Sequence, residues 1–254
     1  MSQTTLVGSV ISMMIATAAG LLVYNISHKL IYRYQVSDLK DPTANLFRVV
    51  GTLVSLMLSL AFAEVIVDLR GIENSIEREA VTIADTFRDL HRFGVEDTRE
   101  SRENLIAYTQ AVIDDDWPSL ANDTLSERAG RLRKLVEESV WKLEPANPVQ
   151  EKLWSQILAD IDSLSDYRLI RLDNALGEPP IYIYVIIFGL LVTMACFGAY
   201  RPQGPLIILV SLYTMFVGLV LYLILALSDP FQGEVGVDPE TLELLVQAMQ
   251  SQNS

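Results

Sequence analysis

LFRVVGTLVSLMLSLAFAEVIV, residues 46–67, is the stretch on which the fold turns. It is long enough to cross a bilayer, for which about 20 apolar residues are needed. It is not uniformly greasy. At about 100° per residue, Gly51, Ser55, Ser59 and Ala63 fall on one stripe, joined by Arg48 and Thr52. Leu53, Leu56, Met57 and Leu60 take the other side. Arg48 and Glu64 stand near the two ends. A membrane helix with such a small, polar face either packs tightly on another helix or lines water.

Working outward, three further apolar runs qualify as spans, at residues 6–26, 181–200 and 206–227. The first has its own ladder, Gly8, Ser12, Ala16 and Gly20. Small residues at this spacing let backbones approach in a membrane. Two neighbouring spans with matching ladders are expected to pack on each other. The fold expected is all-α: an integral membrane protein with four transmembrane helices and a helical-bundle soluble domain inserted between the second and third. The divisions are 1–67, 68–179, 180–228 and 229–254.

The block 68–179 reads as helical throughout. Ile72, Ile76, Ala80, Ile83, Phe87 and Leu90 form an amphipathic stripe, and the second span continues into it past Gly71. A second helix is expected over about 98–116, ended by Trp117-Pro118. A third is expected over about 126–143, closed by Pro145 and Pro148. A fourth runs over 149–176, with Leu153, Ile157, Ile161 and Leu164 on one face, and ends at Gly177 before Pro179-Pro180. After the last span, Asp238 reads as an N-cap and Pro239 as the first residue of a short helix. Leu242, Leu245, Val246 and Met249 give that helix an apolar face to dock on the bundle or a neighbouring subunit.

Charge narrows the partners. The chain carries −13, and residues 66–179 hold 24 acidic against 14 basic residues. An acidic surface repels phosphate backbones, so nucleic acid is excluded as a partner. The block also offers no polybasic lipid patch. His28, Lys29, Arg33 and Lys40 lie between the first two spans, and Arg201 lies between the last two. The positive-inside rule places those loops in the cytoplasm, so the soluble domain and both termini are expected outside an inner membrane. Cys196 is the single cysteine, so no disulfide forms within the chain.

Enzymatic motifs are missing. His28 and His91 belong to no metal-binding pattern, and no nucleophile elbow, phosphate loop or dinucleotide fingerprint occurs. No cofactor or metal is expected. Asp114, Asp115 and Asp116 are read as a solvated helix end, since no glycine-turned loop spaces them as calcium ligands. Glu73, Glu77 and Glu79 are expected to meet Arg168 and Arg171 in salt bridges, or to ring a pore mouth.

The order of certain residues resembles a known family. LSLAFA (58–63) is followed by Arg78-Glu79-Ala80, then Tyr108, Asp116-Trp117, Arg168, Arg171-Leu172, and Asp229-Pro230-Phe231 with Gly233. This is similar to the bacterial bestrophin-like domain family of four-span membrane proteins. The resemblance implies a distant relation to bestrophins, which are pentameric anion channels lined by the second span. It implies a homo-oligomer in the lipid bilayer with Arg48, Thr52, Ser55, Ser59 and Glu64 along the pore and small anions as partners. Bestrophins keep their soluble part in the cytoplasm, whereas the loop charges here place it outside. The alternative is a non-conducting scaffold or sensor whose helical domain binds a partner.

Overall fold

The computed structural model describes residues 3–33, 40–122, 124, 126–175, 181–231 and 237–253. Among these the regular structure is helical: α1 Gln3–Arg33, α2 Lys40–Phe93, α3 Arg99–Ala111, a π-helical segment Val112–Asp116, α4 Trp117–Leu120, α5 Glu127–Trp141, α6 Pro148–Ala175, α7 Tyr182–Phe197, α8 Gly204–Ser228 and α9 Glu240–Asn253. The described residues divide into two compact units. One holds residues up to 68 and 181–228; the other holds 69–175, 229–231 and 237–253.

α2 supplies residues to both units, because nothing in its 54 residues stops it. Pro42 sits in the first turn, where a missing N–H costs nothing, so the helix runs through Asp41-Pro42 from its start. Gly71 lies exposed in the middle and leaves the helix unbroken. By length and composition α1, α2 and α8 are able to cross a membrane. α7 has 16 residues, or about 24 Å at 1.5 Å per residue, short of a hydrocarbon core of about 30 Å.

In the first unit, the α1 ladder packs on α8 and not on the ladder of α2. Ser12 donates to the Gly218 carbonyl at 3.0 Å. A Cβ on Gly8 would meet Tyr222, one on Gly20 would meet Thr214, and one on Gly218 would meet Ala16. The expected pairing of the two ladders is therefore corrected. A glycine on each helix lets α1 and α8 close to backbone contact, and α2 has a different face to bury. That face is Val54, Ala61 and Val65, packed with Ile186 and Leu190 of α7 and Val217 and Ile224 of α8. The C-terminal end of α7 is satisfied by α1: Ser27 donates to the Ala195 carbonyl at 2.7 Å, Tyr24 donates to that of Tyr200 at 3.2 Å, and His28 Nδ1 lies 2.9 Å from that of Gly198. These side chains occupy carbonyls that a helix end leaves orphaned.

In the second unit the expected stripes form the core. Ile72, Ile76, Ala80, Ile83, Phe87 and Leu90 are buried with Ile157, Ile161 and Leu164. Ser126 caps α5 by accepting from the Arg128 N–H at 3.3 Å. Pro148 opens α6 instead of closing the helix before it, again because the first turn needs no proline N–H. The end expected at Gly177 and the prolines after it lie outside the described residues. α9 docks within the unit, with Leu242, Val246 and Met249 buried. Its first bonds are accepted by the Pro239 carbonyl, at 2.9 and 3.0 Å from the N–H groups of Leu242 and Glu243. Pro239, and not Asp238, thus holds the position that begins the helix.

Candidate functional site

Two sets of residues stand out. The first is the polar stripe of α2. Arg48, Thr52, Ser55, Ser59 and Ala63 are exposed, and a Cβ added to Gly51 would meet nothing within 4 Å. Thr52 donates to the Arg48 carbonyl at 2.7 Å, and Ser59 donates to that of Ser55 at 2.9 Å. These bonds to the preceding turn satisfy the hydroxyl protons within the helix, so the stripe needs no partner helix to be stable. The Arg48 guanidinium donates to Asn45 at 3.3 Å, and among the described residues no carboxylate pairs with it.

Glu64 does not share the stripe. Sixteen residues beyond Arg48, it lies about 160° round the helix. It accepts a hydrogen bond from Tyr182 of α7. The structure thus brings Arg48, Thr52, Ser55 and Ser59 onto one face and turns Glu64 toward α7.

The second set is a buried charged centre, in which Glu79, Tyr108, Asp116-Trp117, Arg168, Arg171 and Phe231, part of the pattern that carries the family resemblance, meet. Glu79 of α2 pairs with Arg171 of α6, both fully buried. Asp116 is held by Arg168 through two bonds of 2.9 and 3.2 Å, and Arg171 reaches it at 3.5 Å. Arg168 also donates to the Ser126 carbonyl at 2.8 Å. Tyr108 donates to Glu79 at 3.0 Å. Arg171 lies over the Trp117 ring, 5.7 Å from its centroid. Trp117 in turn meets Phe231 edge to face at 5.5 Å and donates to the Val237 carbonyl at 3.1 Å.

The aspartate run is therefore split. Asp114 is exposed, Asp115 pairs with Arg128 at 2.9 Å, and Asp116 is 1 % exposed. The reading of the whole run as a solvated helix end is corrected for Asp116, and the cause is the π-helical segment. In an α-helix the position seven residues after Tyr108 shares its face; the one-residue insertion of a π-bulge passes that place to Asp116. The same bulge lets the helix continue through Trp117-Pro118 to Leu120 rather than stop there. Of the glutamates expected to pair with the arginines, Glu79 does; Glu73 and Glu77 are exposed.

The centre's electrostatics follow from its dryness. Burial pushes the Asp116 carboxyl above the usual carboxylate range, against the pull of Arg168. Burial lowers Arg171 to about 10, which still leaves it charged at neutral pH. Burial, with help from the Asp116 charge, raises the Tyr108 hydroxyl above its ordinary value of 10.0. A raised acid keeps its proton in the folded state while the unfolded chain loses it. Stability from Tyr108 is thus fully present below pH ~10 and falls as pH climbs beyond it. Tyr108→Phe should flatten that alkaline loss in denaturant melts, while costing about 1–3 kcal/mol at pH 7 because Glu79 loses a buried donor. An alkaline limb identical to wild type would refute this role.

Sequence reasoning missed the three-donor cap on α7 and the turn of Glu64 toward Tyr182. The first had no signal: His28 counted as a charge of the loop, and nothing in the pattern set Tyr24 or Ser27 apart. The second had one, the 160° offset from Arg48.

Comparison with known proteins agrees with this architecture. The family model for the bestrophin-like domain matches residues 14–242. No curated protein sequence matches the chain. Among solved structures, a bacterial bestrophin homolog from Klebsiella pneumoniae superposes with a TM-score of 0.69 at 12% identity, covering 96% of this chain and 98% of that one. A point variant of that homolog gives 0.68 at 12% identity, covering 95% and 99%. A crystal structure described only as a membrane protein gives 0.70 at 13% identity, covering 96% and 98%. At such identities the likeness shows the fold. The matched family model spans most of the sequence, and this chain belongs to the bestrophin-like domain family.

Proposed function

We propose that the chain is a subunit of an oligomeric, non-enzymatic membrane channel in which α2 faces the axis. The observation that carries this reading is that α2 buries one face inside its own unit and leaves the polar one open. A polar stripe ending in an arginine is costly against lipid. Copies of the chain arranged around an axis would turn Arg48, Thr52, Ser55 and Ser59 to a shared lumen. In this reading α1, α2, α7 and α8 all span an inner membrane. The turn at 198–200 completes the crossing of α7, and residues 68–179 form a soluble helical domain between the second and third spans. The basic residues of the connections at 27–43 and 200–205 favour a cytoplasmic position for both. A phosphatase reporter fused after Ser254 should then be active and a cytoplasmic fluorescent one dark; the opposite pattern would invert the placement.

Arg48 sets the sign of the ion. Thr52 and Ser59 spend their protons on backbone carbonyls and turn lone pairs outward, so the guanidinium is the one positive group on the stripe. A fixed charge at a narrow, low-dielectric mouth is poorly screened and concentrates anions, as the resemblance to bestrophins also implies. In liposomes of purified protein we expect anion flux. Arg48→Gln should lower it with the oligomer intact, and Arg48→Glu should move the reversal potential toward cations. Reversal potentials unmoved in both variants would deny Arg48 this role. Wild-type liposomes that pass no ion under varied voltage, pH and calcium would favour a non-conducting scaffold or sensor.

A further inference from the structure

One flank of α2 holds two openings in succession within the first unit. The first, about 430 Å³, is lined by Thr43, Ala44, Phe47, Arg48, Cys196, Phe197, Tyr200 and Leu206. The second, about 330 Å³, lies between α2 and α8, with Val54, Ser55, Leu58, Phe62, Phe216 and Val220 among its walls. Between them stands Gly51, where an added Cβ would meet nothing. Counted from Arg48, residues 44, 51, 55 and 62 all fall at roughly 300–340° round the helix, on the edge of the polar stripe that borders the packing face. From Arg48 to Phe62 the flank runs about 21 Å, more than the ~15 Å of one leaflet's hydrocarbon.

Its two ends differ in chemistry. The second opening is apolar apart from its hydroxyls. The first has an arginine without a carboxylate partner among the described residues, set beside aromatic rings. The same end of the unit gathers more positive charge. The last turns of α1, carrying Lys29 and Arg33, meet the end of α7, which Arg201 follows. Asp41 opens α2 there.

We propose that this flank is a binding site for an anionic phospholipid, its phosphate on Arg48 and one acyl chain lying along Gly51 toward Phe62 and Val220. Charge complementarity selects the occupant: a basic, aromatic-walled end followed by an apolar groove fits an anionic amphiphile. A free ion leaves the apolar end empty, and a zwitterionic headgroup brings a second cation to an end that already carries Arg48 with Lys29, Arg33 and Arg201 on the neighbouring elements. The inference does not rest on conduction, because lipid retention is read without any flux. If the chain also conducts, a bound phosphate neutralises the charge that draws anions to the mouth.

The test is native mass spectrometry of the full-length protein in mild detergent, offered phosphatidylglycerol or phosphatidylcholine of the same acyl chains. Wild type should retain the anionic lipid about tenfold better, and Arg48→Gln should abolish that preference. Gly51→Leu places bulk in open space, so it should fold as wild type does and lower retention of both lipids. Equal retention of the two lipids by wild type overturns the proposal without recourse to any variant. So does displacement of the lipid by millimolar inorganic phosphate, which would mark a site that reads free phosphate alone. Retention of both lipids unchanged in Gly51→Leu overturns it too, since the acyl chain would then lie elsewhere.

Discussion

Arg171→Met in the full-length protein lowers the midpoint of the tryptophan melt by more than about 10 °C, the largest single-residue effect expected in the second unit. Removing one member of a buried ion pair leaves its partners charged and dry, a cost of about 3–5 kcal/mol. Here the stranded carboxylate is Glu79, fully buried and left with the Tyr108 hydroxyl alone, while Asp116 keeps its two bonds from Arg168. Each kcal/mol moves the midpoint of a domain near this size by roughly 4 °C. The readout is specific because Trp117, Trp141 and Trp154 all belong to this unit. Trp117 touches the centre directly, through Arg171 over its ring. Glu77→Ala, at an exposed position that takes no part in the bonds of the centre, should stay within about 0.5 kcal/mol of wild type. Loss of both members of the buried pair, as Glu79→Leu with Arg171→Met, leaves Asp116 on Arg168 and should recover part of the stability, since replacing a buried ion pair with apolar groups is often tolerated. A single-variant melt that overlays wild type would show that the centre is hydrated and cheap to break.

Gly218→Leu has the second large effect, in the first unit. A Cβ there would crowd Ala16, the Ser12 carbonyl oxygen at 3.1 Å and the Met13 Cα at 3.4 Å. Two of those neighbours are backbone, which has no rotamer to yield. α1 must therefore leave α8, and the Ser12 bond to Gly218 goes with it. We expect little or no protein recoverable in mild detergent, whereas Gly51→Ala should be recovered at wild-type level. The contrast separates glycine as a packing surface from glycine as a mere break in side-chain cover. Equal recovery of the two variants would mean that α1 and α8 are held by lipid rather than by this contact.

The elements themselves were legible from residue order. Apolar runs of 20 or more residues and stripes at spacings of three and four give helices whatever surrounds them, because both features are local. The continuity of α2 past Gly71 and the burial of Ile72 through Leu90 follow from the same local periodicity. The family also showed itself locally, through Glu79, Asp116-Trp117, Arg171 and Phe231. Their spacing along the chain did not say why they belong together.

Partnership was decided only by tertiary structure. The ladders of α1 and α2 are equivalent as sequence, yet the first closes on Gly218 of α8 and the second stays open. A small-residue face specifies close approach but not to whom; the choice depends on which opposing helix also lacks a Cβ at the crossing. The fate of the aspartates was equally hidden. Asp114, Asp115 and Asp116 are one residue type in a row, and only the π-bulge turns the third inward to Arg168 and Arg171. Likewise Glu64 belongs to Tyr182 because the helix turns about 160° between it and Arg48. Hydrophobic length and period are properties of a segment and survive in the sequence. Which polar face is covered, and by what, is a property of pairs of segments, and it exists only once the chain has packed.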